Sequence, residues 1–204
     1  MDSKILNFEI KRKLFHLCSI IIPIFYIAAS KFAMCMMLAI ITGATLFLDI
    51  SRHHNIKIQE WVEKFLGKFL RTKEASGNRV LSGSSYMATG FLISCILFPK
   101  SLAITSWLVL IISDSVAAII GMKFGSPLFN GKSYEGAVAF FVSTFLISIM
   151  CYIAIDLRTS FFIIIMSSLL TSLVEFFSEQ IKINDNLSIP LTYGFSTVIL
   201  LFIL

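Results

Sequence analysis

The 204-residue sequence predicts an all-α, polytopic integral membrane protein, with about seven transmembrane helices and one interfacial amphipathic helix. Three observations carry that prediction. Hydrophobic residues make up 57% of the chain and charged residues only 14%, whereas a soluble domain carries about 25% charged residues. Mean hydropathy is +0.88, an apolar surplus that a soluble core cannot absorb. Seven apolar stretches can be read along the chain, and only one of the connections between them is long. Together these features exclude a soluble enzyme, a disordered tail and a fibrous repeat. The length implies a single domain over residues 1–204.

The first stretch, Leu14–Ala29, follows a basic cluster and ends in Ala28, Ala29 and Ser30. That pattern also suits a cleaved signal peptide, but His16 inside the apolar run argues for a retained span. The next stretches are Phe32–Leu48, Ser82–Phe98, Ser101–Met122, Ala137–Ile155, Ser160–Phe177 and Ile189–Leu204. Several sit near the lower length limit for crossing about 30 Å of hydrocarbon.

Charge orients these spans. With seven crossings, one side holds Lys4, Lys11, Arg12, Lys13, Arg52, Lys57, Lys64, Lys68, Arg71, Lys73, Arg79, Lys123, Lys132 and Lys182. The other side holds only Lys31, Lys100 and Arg158. The positive-inside rule makes the first side cytoplasmic, so the N-terminus is inside and the C-terminus outside. The net charge of +5 is then a loop signal and not the mark of a nucleic-acid partner. The expected location is a bacterial inner membrane. Cys18, Cys35, Cys95 and Cys151 are scattered without a CxxC, so neither structural disulfides nor a thiolate metal site is expected.

The one long connection carries Ile58, Trp61, Val62, Phe65, Leu66 and Phe69 on one helical stripe. Lys57, Lys64, Lys68 and Arg71 lie largely away from it. This is the pattern of a helix lying on anionic lipid.

Acidic groups in or near hydrocarbon need a partner or a purpose. Asp49, Asp114, Glu175 and Asp185 all fall at or toward cytoplasmic ends of spans. Four constellations collect there. Glu9, Arg12, Lys13 and His16 share one helix face by their spacing, and Asp49 with Arg52 repeats an i, i+3 pairing. Asp114, Ala117, Ala118, Gly121 and Gly125 line another face, where small residues permit close helix approach. Gly131, Lys132, Ser133, Tyr134, Glu135 and Gly136 can offer backbone N–H groups, an ammonium and a hydroxyl to phosphate, although the spacing is not that of a Walker A loop and a plain turn would also explain it. Finally Thr171, Glu175, Asp185, Asn186 and Pro190 include hard oxygen donors of the kind that Mg²⁺ takes beside substrate phosphates. Charges gathered at one face suit a charged, soluble substrate meeting a lipid.

In this order the motifs resemble those of the dolichol kinase, phytol kinase and yeast-type CTP-dependent diacylglycerol kinase family. Glu9-x-x-Arg12-Lys13-x-x-His16 is similar to its first signature. Ser113-Asp114-x-x-Ala117-Ala118-x-x-Gly121-x-x-x-Gly125 with Lys132-Ser133-x-Glu135-Gly136 is similar to the central one, and Glu175 with Asp185 to Leu191 to the last. Leu81 to Tyr86 looks like the small-residue segment before the third span. The family is related to the integral-membrane CTP:phosphatidate cytidylyltransferases.

The resemblance implies phosphoryl transfer from CTP, or another nucleoside triphosphate, to the hydroxyl of a lipid alcohol, with Mg²⁺ or another divalent cation. It would place the metal on Asp114, Glu175 and Asp185. Arg12, Lys13, Arg52, Lys132, Ser133 and Gly136 would hold phosphate, and His16 or a carboxylate would take the alcohol's proton. Asp114, His16 and Glu175 are thus the expected catalytic residues. A cytidylyltransferase would use the same nucleotide and metal but make a CDP-lipid. A small transporter should show ionisable or broken-helix features near mid-membrane and often an inverted repeat, and the sequence shows neither.

Overall fold

A computed structural model describes residues 12–66, 81–129 and 132–204. Lys4, Glu9, Lys11, Lys68, Phe69, Arg71, Lys73, Arg79 and Gly131, which figure in the sequence reading, lie outside the described residues. The chain is almost entirely helical. In order, the elements are α1 (residues 12–18), α2 (Ile21–Ala28), α3 (Lys31–His54), α4 (Ile56–Leu66), α5 (Gly83–Leu97) and α6 (Lys100–Phe124). A short antiparallel hairpin follows, β1 (Pro127–Phe129) with β2 (Lys132–Ser133). The chain then closes with α7 (Tyr134–Ala154), α8 (Phe161–Phe176), α9 (Ser178–Ile181) and α10 (Asp185–Ile203).

Four of these helices, α3, α6, α7 and α10, are long and apolar enough to cross a membrane. The expected count of seven is not reached by length alone. The first expected span is broken at Ser19 and Ile20 into α1 and α2, while α5 and α8 are apolar but have 15 and 16 residues. At 1.5 Å per residue these two reach about 22–24 Å. Large apolar side chains cover the outside, among them Phe202, Phe32 and Ile153, each more than three-quarters exposed. In water that surface would be prohibitive; against lipid it is unremarkable.

Small polar residues start the helices. Ser30, Ser82, Ser133, Ser160 and Asn184 each accept a hydrogen bond from a backbone N–H in the first turn of α3, α5, α7, α8 and α10, which satisfies one of the donors that a helix start leaves over. The central element is α6. In it 67% of the most apolar stretch is buried, against 22% to 33% in the other three long helices. Its Trp107 stacks between Tyr26 at 5.3 Å and Phe91 at 4.8 Å. Just before Asp114, residues Val109–Ser113 form a π-helical turn, a local widening often found where a helix carries a functional group.

Two ends can be told apart by contacts. At one, Lys31 Nζ donates to Phe98 O at 3.0 Å, and Lys100 Nζ donates to Ile27 O and Ala29 O, both at 2.9 Å. The opposite end gathers the C-terminal part of α3, the start of α5, the hairpin, the end of α8 and the start of α10. There Pro190 lacks the N–H that would bond Asn186 O. Gly90 of α5 closes on that carbonyl, and a Cβ at Gly90 would lie only 2.9 Å from it.

The amphipathic helix expected in the long connection is present as α4 over Ile56–Leu66. Val62 is buried while Trp61 is half-exposed. The last helix begins before the expected Ile189–Leu204 stretch, because Asn184 caps α10 and makes Asp185 its first residue.

Candidate functional site

The polar end is built from three buried groups. The first joins α1 to α6. Lys13 and His16 lie on the inner face of α1 and are buried, while Leu14 and Phe15 point outward. Lys13 Nζ donates to Asp114 Oδ2 in a buried ion pair. His16 Nε2 lies 4.0 Å from the same oxygen and has no hydrogen-bond partner among the described residues. Ser113 Oγ, on the residue before Asp114, is also buried and has no hydrogen-bond partner among the described residues. Arg12 is within electrostatic range of Asp114. Two cations and an imidazole thus face one carboxylate deep among apolar helices. A carboxylate there is tolerated only with such company.

The second group is organised by the hairpin. Lys132 Nζ, on β2, donates to Glu175 Oε1, to Glu175 O and to Ser178 Oγ, the last at 2.9 Å. Glu175 is in the last turn of α8 and Ser178 opens α9, so one ammonium bridges the end of one helix and the start of the next. Ser133 next to it caps α7 through Gly136 N at 3.1 Å. The hairpin comes this close because Gly121, Gly125 and Gly136 have no side chains. A Cβ on Gly125 would fall 2.1 Å from Ser133 Oγ, and one on Gly136 3.1 Å from Ala117 O. The glycines therefore set α6, the hairpin and α7 together. Glu175 feels the charges of both Asp114 and Asp185, which links the second group to the first.

The third group ties α3 to α5. Asp49 Oδ2 accepts from Ser82 N at 2.7 Å, Ser82 Oγ at 2.8 Å and Ser85 Oγ at 2.5 Å. Its other oxygen sits 3.1 Å from Arg52 Nε. Both charged residues are about 5% exposed. Asp49 thus acts as a bracket across the start of α5, and Arg52 is held by it.

Of the residues expected from sequence, Lys13, His16 and Asp114 come together, with Arg12 at their edge. Lys132, Glu175, Ser133 and Gly136 form the adjoining group. Arg52 belongs to the third. Asp185 faces its own helix start, accepting from Asn186 N at 3.0 Å, within electrostatic reach of Glu175. Among the described residues, no three His, Cys, Asp or Glu side chains are close enough together to hold a metal ion by themselves. Ser178 was missed by the sequence reading; its spacing of three from Glu175, at a helix end, was the available signal. Ser82 and Ser85 were read only as small residues, although an N-cap serine followed by another in the first turn suits a carboxylate acceptor.

The helices and this polar end define a polytopic, nearly all-helical protein with buried, ion-paired carboxylates at one end. The chain is 50% identical, over its full length and that of its relative, to an uncharacterized protein of Rickettsia prowazekii. It is 31% identical to an uncharacterized protein of Methanocaldococcus jannaschii, over 92% of this chain and 91% of that one. The chain belongs to the family that these two proteins represent. It is also similar to a probable chloroplastic phytol kinase of Triticum aestivum, 28% identical over 133 residues, 59% of this chain and 44% of that protein. No family model matches the sequence, and no solved structure matches it.

Proposed function

We propose that the protein is an integral-membrane phosphotransferase that moves a phosphoryl group from CTP, or another nucleoside triphosphate, to the hydroxyl of a lipid alcohol. A polyprenol, a phytol-like alcohol or diacylglycerol would be its acceptor. The observation that carries this reading is the pairing of two buried carboxylates with lysines, Lys13 on Asp114 and Lys132 on Glu175, in a chain with partial similarity to a phytol kinase. A carboxylate and an ammonium together suit a ligand made of metal and phosphate: each finds its counter-ion in the ligand when the pair opens.

The donor set fits Mg²⁺ or another divalent cation, which takes one or two carboxylates and completes its shell with phosphate oxygens and water. Asp114 and Glu175 would hold it, with Asp185 beside them. When bound, the ion would neutralise phosphate charge. Lys13 and Lys132 would turn from the carboxylates to phosphate oxygens. Arg12 and Arg52 would add planar, bidentate contacts. Ser133 and Gly136 would fix the hairpin so that Lys132 stays in place. His16 Nε2, buried and unpartnered, would accept the proton of the attacking hydroxyl. Apolar walls around these groups would exclude water, which favours the lipid acceptor over hydrolysis.

The membrane arrangement proposed with this activity has seven crossings, α5 and α8 among them, and puts the charged end in the cytoplasm. Short helices cross where the bilayer thins locally. The test is to reconstitute the protein with γ-labelled CTP or ATP and each class of lipid alcohol, with and without Mg²⁺. Label should enter the organic phase only when the metal is present, and Lys132→Met should reduce it. Label that stays in the aqueous phase with every acceptor and nucleotide would overturn the proposal.

A further inference from the structure

At the end of the molecule remote from the buried ion pairs, two cysteines meet. Cys35 lies one helical turn into α3 and Cys95 in the last turn of α5. The Cys35 thiol donates to Cys95 Sγ at 3.1 Å, and the Cys95 thiol donates to the Tyr26 hydroxyl at 3.6 Å. Cys95 is fully buried and Cys35 half-buried. Lys31 and Phe98, which join the same two helices at 3.0 Å, hold them in register beside the thiols. Sequence spacing gave no hint of this, since 60 residues separate the two.

We infer that Cys35 and Cys95 form a redox-active dithiol that closes to an intramolecular disulfide on reaction with a small apolar disulfide. This inference does not depend on the phosphotransferase reading. Cys35, the more exposed of the two, reacts first, its thiolate attacking the reagent's S–S bond. Its thiolate displaces one thiol from the reagent and leaves a mixed disulfide. Cys95 then attacks Cys35 Sγ and expels the second thiol. The two cysteines are oxidised, the reagent's S–S bond is reduced to two thiols, and the two cysteine protons pass to the leaving groups. The product staples α3 to α5 and encloses α4 and the Asp49 bracket within one covalent loop. In the proposed orientation the pair lies toward the non-cytoplasmic side, where disulfides persist.

The experiment treats the reconstituted, reduced protein with 4,4′-dithiodipyridine, an apolar disulfide, then denatures it, alkylates remaining thiols and maps the peptides by mass spectrometry. The expected result is a Cys35–Cys95 linked peptide with no pyridyl group retained on either residue. Release of both thiones from one reagent molecule should accompany it. Dithiothreitol should reverse the link, and the oxidised protein should melt higher, by roughly 5 °C. Cys35→Ser should leave Cys95 without an internal partner and abolish the linked peptide, while the wild-type chain provides the primary readout whatever the variant's stability. A stable pyridyl adduct on Cys35, an unreacted pair, or links only between separate chains would overturn the inference.

Discussion

Lys13 and Asp114, 101 residues apart in sequence, form a buried ion pair that fastens α1 to the middle of α6. Removing one partner of such a pair strands the other in a low-dielectric setting. Asp114→Asn should therefore lower stability, by about 3 kcal/mol, and reduce metal-dependent turnover by about a hundredfold or more. The double variant Lys13→Met with Asp114→Asn separates these effects. It should regain most of the stability and none of the turnover. Thermal melting in detergent and turnover on the same preparation decide the point, and normal turnover in the double variant would confine Asp114 to a structural role.

Lys132 donates to three acceptors at the junction of α8 and α9. If it exchanges these for phosphate, Lys132→Met should raise the KM for nucleotide about tenfold, a loss of about 1.4 kcal/mol. Lys132→Arg, which keeps the charge, should retain part of the affinity. Steady-state kinetics with varied nucleotide tests this. An unchanged KM in the Met variant would take Lys132 away from the nucleotide.

Glycine substitutions test the packing. A Cβ on Gly194 would lie 2.0 Å from the ring of Phe98, and Phe98 is itself buried. Gly194→Ala should destabilise by about 1–3 kcal/mol as the ring is forced aside. Gly43 has nothing within 4 Å of that position. Gly43→Ala should be neutral or stabilising, by up to about 1 kcal/mol, because alanine favours the helix. Melting temperatures in the opposite order would contradict the close contact of α10 with the end of α5.

The proposed orientation rests on the charge asymmetry of the loops. Single cysteines placed at Lys132 and Lys182 in a cysteine-free background should react from the cytoplasmic side. Those at Lys31 and Arg158 should react from the other. Labelling of Lys132 and Lys182 from opposite faces would break the arrangement.

Much of this was legible from residue order. Apolar length marked α3, α6, α7 and α10. The i, i+3 spacing put Lys13 and His16 on one face, and the glycine spacing after Asp114 indicated a close approach. What stayed hidden was pairing between distant segments. Periodicity places Lys13 and Asp114 each on a face, but it cannot say that the two faces meet. The same holds for Lys132 with Glu175 and for Cys35 with Cys95. The hairpin was illegible for a different reason: β1 and β2 are three and two residues long, too short for any alternation to show. The break at Ser19 and Ile20 lies within an apolar run, where composition carries no boundary.

Position of the label tests the central claim most directly. Parallel reactions would contain the reconstituted protein, Mg²⁺, a lipid alcohol and CTP labelled at either the γ- or the α-phosphate, with the lipid extracted and counted. Label is expected in lipid from the γ-position and none from the α-position. Label entering lipid from the α-position would mean transfer of a cytidylyl group, and label from neither position with any acceptor would contradict phosphoryl transfer to lipid altogether.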